Sequence, residues 1–172
     1  MGMRDDQETA SPARDDINRI QEERMPHTYS SLIIHAIFST KDRRPLLTTA
    51  IKEELFAYMG GIIGRLKGQS LLVNGPKEHV HLLFVLPAAL SLSEMMEKVK
   101  ANSSKWANER WPAIGFAWQI GYAGFSVSPS KIEEVRNYIL KQEAHHRKLT
   151  YEQEVAALLK RHGVKFEKGD LQ

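Results

Sequence analysis

Two imidazoles one residue apart, His79 and His81, stand inside the apolar run Glu78-His79-Val80-His81-Leu82-Leu83-Phe84-Val85-Leu86. Such a run predicts a strand, and residues i and i+2 of a strand share a face, so both rings project together while Val80 and Leu82 face the core. Paired imidazoles on a rigid strand suit a metal ion, although two neighbouring histidines at the end of a half-buried strand give the same pattern. A second group lies in Asn137-Tyr138-Ile139-Leu140-Lys141-Gln142-Glu143-Ala144-His145-His146-Arg147. Tyr138 and Gln142 are four residues apart and share one face of a predicted helix, with His145 and His146 continuing near it. Two imidazoles and a carboxamide oxygen form a mixed ligand set for Mg²⁺, Mn²⁺ or a similar ion, with positions left open for substrate. A tyrosine one turn from such a ligand would reach a phosphate bound there. The phenol, with a pKa of about 10, is a poor nucleophile at neutral pH, and an adjacent ion corrects this by stabilising the phenolate. The chemistry so described is transesterification without an external energy source.

These groups need a scaffold, and the chain supplies one. Tyr29 to Ser39 (YSSLIIHAIFS) predicts a buried first strand, broken by Lys41-Asp42-Arg43-Arg44-Pro45. Thr48 or Thr49 caps a helix from Ala50 to about Arg65 with an apolar stripe of Ile51, Leu55, Tyr58, Met59 and Ile62, weakened locally by Gly60, Gly61 and Gly64. Gln69 to Val73 predicts a second strand, Asn74-Gly75-Pro76 a turn, and His79 to Leu86 the histidine strand. Ser91 or Ser93 starts a helix over about Leu92 to Arg110, and Trp118 to Val127 predicts a fourth strand. Ser128-Pro129-Ser130 opens a helix running to about Lys148, and Thr150 caps a last one from Tyr151 to Arg161. The order is that of an α+β, ferredoxin-like βαββαβ palm: an antiparallel sheet with helices on one face, plus C-terminal helices.

With 172 residues the chain has room for one domain with a sizeable core. The absence of cysteine excludes disulfides and thiolate metal sites. No apolar stretch approaches a membrane span and the polar beginning is no signal peptide, so the expected location is cytoplasmic. Residues 1–24 hold seven acids against four arginines, net −3, and read as a poorly ordered polar arm; the remainder carries +6, which suits a polyanionic partner. The expected organisation is an arm over 1–24, a catalytic domain over 25–165 and a tail over 166–172.

His79-Val80-His81 and the Tyr138-x-x-x-Gln142 helix, in this order and topology, resemble the His-hydrophobic-His and Tyr-x-x-x-Gln motifs of single-tyrosine HUH transposases of the insertion sequence 200/605 type. The resemblance extends from about His27 to Tyr151 and includes His35-Ala36-Ile37-Phe38-Ser39-Thr40-Lys41, Arg43-Arg44-Pro45-Leu46-Leu47, Gly121-Tyr122 and Tyr138 through Thr150. It implies that His79 and His81 bind a divalent metal, Mg²⁺ or Mn²⁺, with Gln142 as third ligand. Tyr138 would attack single-stranded DNA to leave a 5′-phosphotyrosine and a free 3′-hydroxyl. It also implies hairpin-ended single-stranded DNA as substrate and a homodimer in which the tyrosine helix of one subunit can complete the site of the other.

Within that resemblance Lys41, Arg43, Arg44, Lys100, Ser103, Lys105 and Arg110 are candidate phosphate contacts. His145 and His146 are candidates to assist proton transfer or bind phosphate beside the site. Trp106, Trp111 and Trp118 are expected in core or loop packing rather than stacked on bases. Three other readings share parts of the pattern. A domesticated relative would act on dispersed palindromes without mobilising itself. A metal phosphodiesterase would use water in place of Tyr138, and a non-catalytic ferredoxin-like module would bind nucleic acid with these residues as structure.

Overall fold

A computed structural model describes residues 29–142 and 149–167. Strand β1 (Ile33–Ser39) leads into helix α1 (Thr49–Arg65), the antiparallel pair β2 (Gln69–Asn74) and β3 (His79–Val85), helix α2 (Leu92–Arg110), strand β4 (Ala123–Val127), and helices α3 (Ile132–Leu140) and α4 (Tyr151–Arg161). The sheet order is β2-β3-β1-β4 and every neighbouring pair is antiparallel. This is the expected βαββαβ topology. The 1–24 arm, His145, His146, the expected extension of the tyrosine helix to Lys148 and residues 168–172 lie outside the described residues.

Strand alternation sorts the sheet into two buried faces. Ile34, Ala36, Phe38, Val80, Leu82 and Phe84 pack against α1 and α2 through Leu55, Met59, Ile63, Met95, Met96 and Val99, all fully or almost fully buried. The opposite face carries Ile33, Ile37, Leu83, Phe125 and Val127, covered by Ile139 of α3 and by Tyr151 and Val155 of α4. The odd-numbered residues of β3, His79 and His81 among them, therefore look toward the C-terminal helices. α1 runs unbroken through its glycines. A Cβ on Gly60 would stand 3.3 Å from Ser70 Oγ, so the small residue lets the helix lie close to β2.

β4 begins at Ala123 rather than Trp118. In backbone pairing, the residues ahead of it meet β1's end through an isolated Thr40–Trp118 bridge, and Gly121, at φ 86°, turns the chain before β4 forms. That loop is held from beneath by the Lys100 ammonium, which donates to the carbonyls of Gln119 (2.7 Å) and Gly121. α3 and α4 are tied together by Arg161, which pairs with Glu134 at 2.8 Å. α3 is tied to the sheet edge by Asn74 Nδ2 donating to the Ile139 carbonyl (2.9 Å) and Arg136 donating to the Leu71 carbonyl (3.2 Å).

Candidate active site

The turn before β3 sets the height of the histidines. Thr40 N–H donates to the Glu78 carbonyl at 2.8 Å and Leu47 N–H to that of Lys77 at 2.8 Å. At Gly75 any Cβ would stand 2.2 Å from the His79 carbonyl oxygen, so only glycine allows this approach. In register His79 then faces Ser39 and His81 faces Ile37 on β1.

Both imidazoles turn Nε2 toward one point and Nδ1 toward a partner. His79 Nδ1 lies 3.3 Å from Glu78 Oε1, and His81 Nδ1 lies 2.9 Å from His35 Nε2. The two Nε2 atoms are 3.1 Å apart. Facing them is a residue that the spacing of motifs did not single out: Glu154, in the first turn of α4 and only 4% exposed. Its Oε2 lies 3.2 Å from His79 Nε2 and its Oε1 3.5 Å from His81 Nε2. Tyr138 donates its hydroxyl to Glu154 Oε1, and Gln142 Nε2 donates to the same oxygen at 2.7 Å. Four elements of one chain, with Gln142 two residues past the end of α3, thus deliver His35, His79, His81, Tyr138, Gln142 and Glu154 to a single cluster. The Tyr138 ring stands edge-on to His35 and His81, with centroids 6.2 and 6.0 Å away. Tyr151, the residue that opens α4, packs 5.1 Å from the His79 ring.

The electrostatics follow from burial and from that carboxylate. Burial holds the His81 imidazole well below its ordinary value and lowers His35 to about 4. Burial acts the same way on His79, but the carboxylates of Glu154 and Glu78 outweigh it and raise it. For Glu154 burial favours the neutral acid, yet His79, His81 and the Tyr138 hydroxyl hold it down at about 2. Burial, and then Glu154, push the Tyr138 phenol upward. The cluster as it stands is a neutral phenol donating to an ionised carboxylate.

This arrangement fits a divalent ion. Each imidazole has its Nδ1 engaged and its Nε2 directed inward, as metal-ligating histidines do. One ligand atom from each of His79, His81 and Glu154 lies within 4.8 Å of the others. Gln142 Oε1 is buried without a hydrogen-bond partner among the described residues, which leaves an oxygen for which an ion would provide.

Residues 28–142 match the family model of the IS200-like transposases, about two-thirds of the chain. The chain belongs to that family. Among solved structures this transposase is similar to a Deinococcus radiodurans R1 protein assigned as a transposase, with a TM-score of 0.56 and 20% identity over 70% of this chain and 97% of that one. It is also similar to a REP-associated tyrosine transposase bound to a REP hairpin, with a TM-score of 0.50 and 13% identity over 74% and 73% of the two chains. At these identities the likeness is one of fold. No match was found among curated proteins. Glu154 lies beyond the matched segment, on the helix that closes the site.

The candidate phosphate contacts scatter. Ser103 is a correction: it is fully buried, donates to the Val99 carbonyl (2.6 Å) and accepts from Trp118 Nε1 (2.9 Å), so it meets no phosphate. Lys100 is spent on the 117–121 loop. Arg43 pairs with Glu152 at 2.6 Å, Arg110 with Glu54 at 3.0 Å, and Arg44 donates to the carbonyls of Ile114 and Gly115. Lys41 and Lys105 stand exposed, Lys105 with Glu109 3.9 Å away on the same helix. Trp118 is buried against Phe38, and Trp106 stacks on Tyr58 at 4.6 Å, as expected of packing residues.

Proposed function

We propose that this transposase cleaves and rejoins single-stranded DNA through Tyr138, with a divalent ion held by His79, His81 and Gln142. The observation that carries the reading is that the Tyr138 hydroxyl, the Gln142 amide and both histidine Nε2 atoms meet the same carboxylate within one chain. The ion, Mg²⁺ or Mn²⁺, would polarise the scissile phosphate and stabilise the phenolate. The protein supplies the rest. His35 and Glu78 fix the imidazole tautomers, the β3 backbone fixes their height, and α3 aims a half-buried tyrosine at the phosphate. As the Tyr138 Oη–phosphorus bond forms, the bond from phosphorus to the 3′ oxygen breaks. The phenol loses its proton, for which Glu154 is the hydrogen-bond acceptor, and the departing 3′ oxygen gains one. A phosphodiester is exchanged for a phosphotyrosine diester, so a later 3′-hydroxyl reverses the step without an energy source.

Hairpin-ended single-stranded DNA is the substrate this reading assigns, in keeping with the hairpin held by the REP-associated neighbour. The working unit is taken as residues 25–165. The test uses a labelled strand carrying a hairpin from the DNA flanking the coding sequence, incubated with Mg²⁺ or Mn²⁺ and run on a denaturing gel. A covalent adduct formed by wild type and lost in Tyr138→Phe supports the mechanism. Cleavage that persists in Tyr138→Phe points to water as nucleophile, and binding without cleavage by either protein points to a non-catalytic module.

A further inference from the structure

We infer that Glu154 is a ligand of the divalent ion bound by His79 and His81, contributed by α4 from outside the family-matched segment. The inference rests on the metal reading above and adds a carboxylate to its ligand set.

An acid in the first turn of a helix ordinarily sits in water, where it answers the helix dipole. Glu154 does not. Thr150 caps α4 in a reciprocal box with Gln153, the helix is pinned at its start by Arg43–Glu152, and the same first turn sets the Glu154 carboxylate facing both imidazoles. A buried carboxylate is costly unless it is paired and fully hydrogen-bonded or holds a cation. Tyr138 and Gln142 donate to Oε1, while Oε2 faces His79 Nε2.

The spacing is that of ligands around one ion. Two donors at right angles on an ion with bonds of about 2.1 Å are separated by about 3.0 Å. The observed separations are 3.1 Å between the Nε2 atoms, 3.2 Å from His79 to Oε2 and 3.5 Å from His81 to Oε1. Two imidazoles with one carboxylate also favour a first-row transition ion such as Mn²⁺ over Mg²⁺. Gln142, whose NH₂ group now orients the carboxylate, keeps its own oxygen available beside it.

The experiment titrates Mn²⁺ into the metal-stripped full chain by calorimetry and by loss of the free-ion paramagnetic resonance signal, and records the rise in melting temperature. Glu154→Gln preserves size but removes the charge and exchanges one acceptor oxygen for an amide donor; it is expected to bind Mn²⁺ at least tenfold more weakly and to lose most of the metal-induced rise. Affinity in Glu154→Gln within twofold of wild type would overturn the inference while leaving the metal reading intact. Equal Mn²⁺ binding by wild type and His81→Ala would overturn the metal reading itself. Should Glu154→Gln fail to fold, Glu154→Asp, which keeps the charge but shortens the reach, takes its place under the same tenfold criterion.

Discussion

At the residue scale, the site is a set of side chains whose second atoms are already engaged. His81 presents Nε2 because Nδ1 meets His35, and His79 presents Nε2 because Nδ1 meets Glu78. Removing such a partner loosens a ring without removing a ligand. His35→Phe, which keeps the bulk, is expected to weaken Mn²⁺ binding about 10–100-fold, measured by the same calorimetric titration. His79, His81, Tyr138 and Gln142 were legible in the sequence because their spacings coincide with strand and helix periods. Glu154 and His35 were not. Glu154 reads as an ordinary first-turn acid after a threonine cap, and His35 as one polar residue in a buried strand. Their meaning comes from contacts across 46 and more positions of sequence, which no local period records. Ser103 failed in the opposite sense: placed among lysines it reads as a surface hydroxyl, whereas its helix face is turned into the core. Ser103→Ala would leave Trp118 Nε1–H without its acceptor, at a cost of about 1–3 kcal/mol in a urea melt, with no change in DNA affinity.

Elements carry the next set of consequences. The strands and helices follow the sequence pattern closely where apolar alternation and caps agree, as in β3, α2 and α4, whereas β1 starts at Ile33 and leaves Tyr29 and Leu32 of the expected strand exposed. The exceptions are ends. β4 is shorter than its apolar run because Lys100 and Gly121 hold residues 117–121 as a loop. α3 starts only at Ile132 because Pro129–Lys131 forms a short 3-10 turn first. α4 is the element on which the site most depends, since its first turn bears both Tyr151 and Glu154. Thr150→Ala removes the cap and is expected to cost about 1 kcal/mol of stability, read from denaturant unfolding. The same variant should also reduce the metal-induced gain in melting temperature, while Thr150→Ser, which restores the cap oxygen, should recover both.

For the whole molecule, the sheet serves as a partition: hydrocarbon on the α1 and α2 side, and a polar cluster set within apolar packing on the α3 and α4 side. Residues 25–172 carry +6 against −3 for 1–24. Among the candidate contacts, Lys41 and Lys105 are the ones whose replacement by alanine should weaken hairpin binding evenly across sequences and reduce the salt slope by about one each, measured by fluorescence anisotropy at several salt concentrations. No helix among the described residues is long and apolar enough to cross a membrane.

The Asn74–Ile139 and Arg136–Leu71 bonds lash the tyrosine helix to the edge strand of its own sheet, where Asn74 stands opposite His81 in register. Within one chain these bonds hold the tyrosine helix beside the histidines of the same sheet. The consequence can be read by complementation: mixing His81→Ala with Tyr138→Phe should yield no adduct at any ratio, because neither protein can lend the other its intact half. Activity returning in the mixture would show that the mooring breaks and the helices trade places.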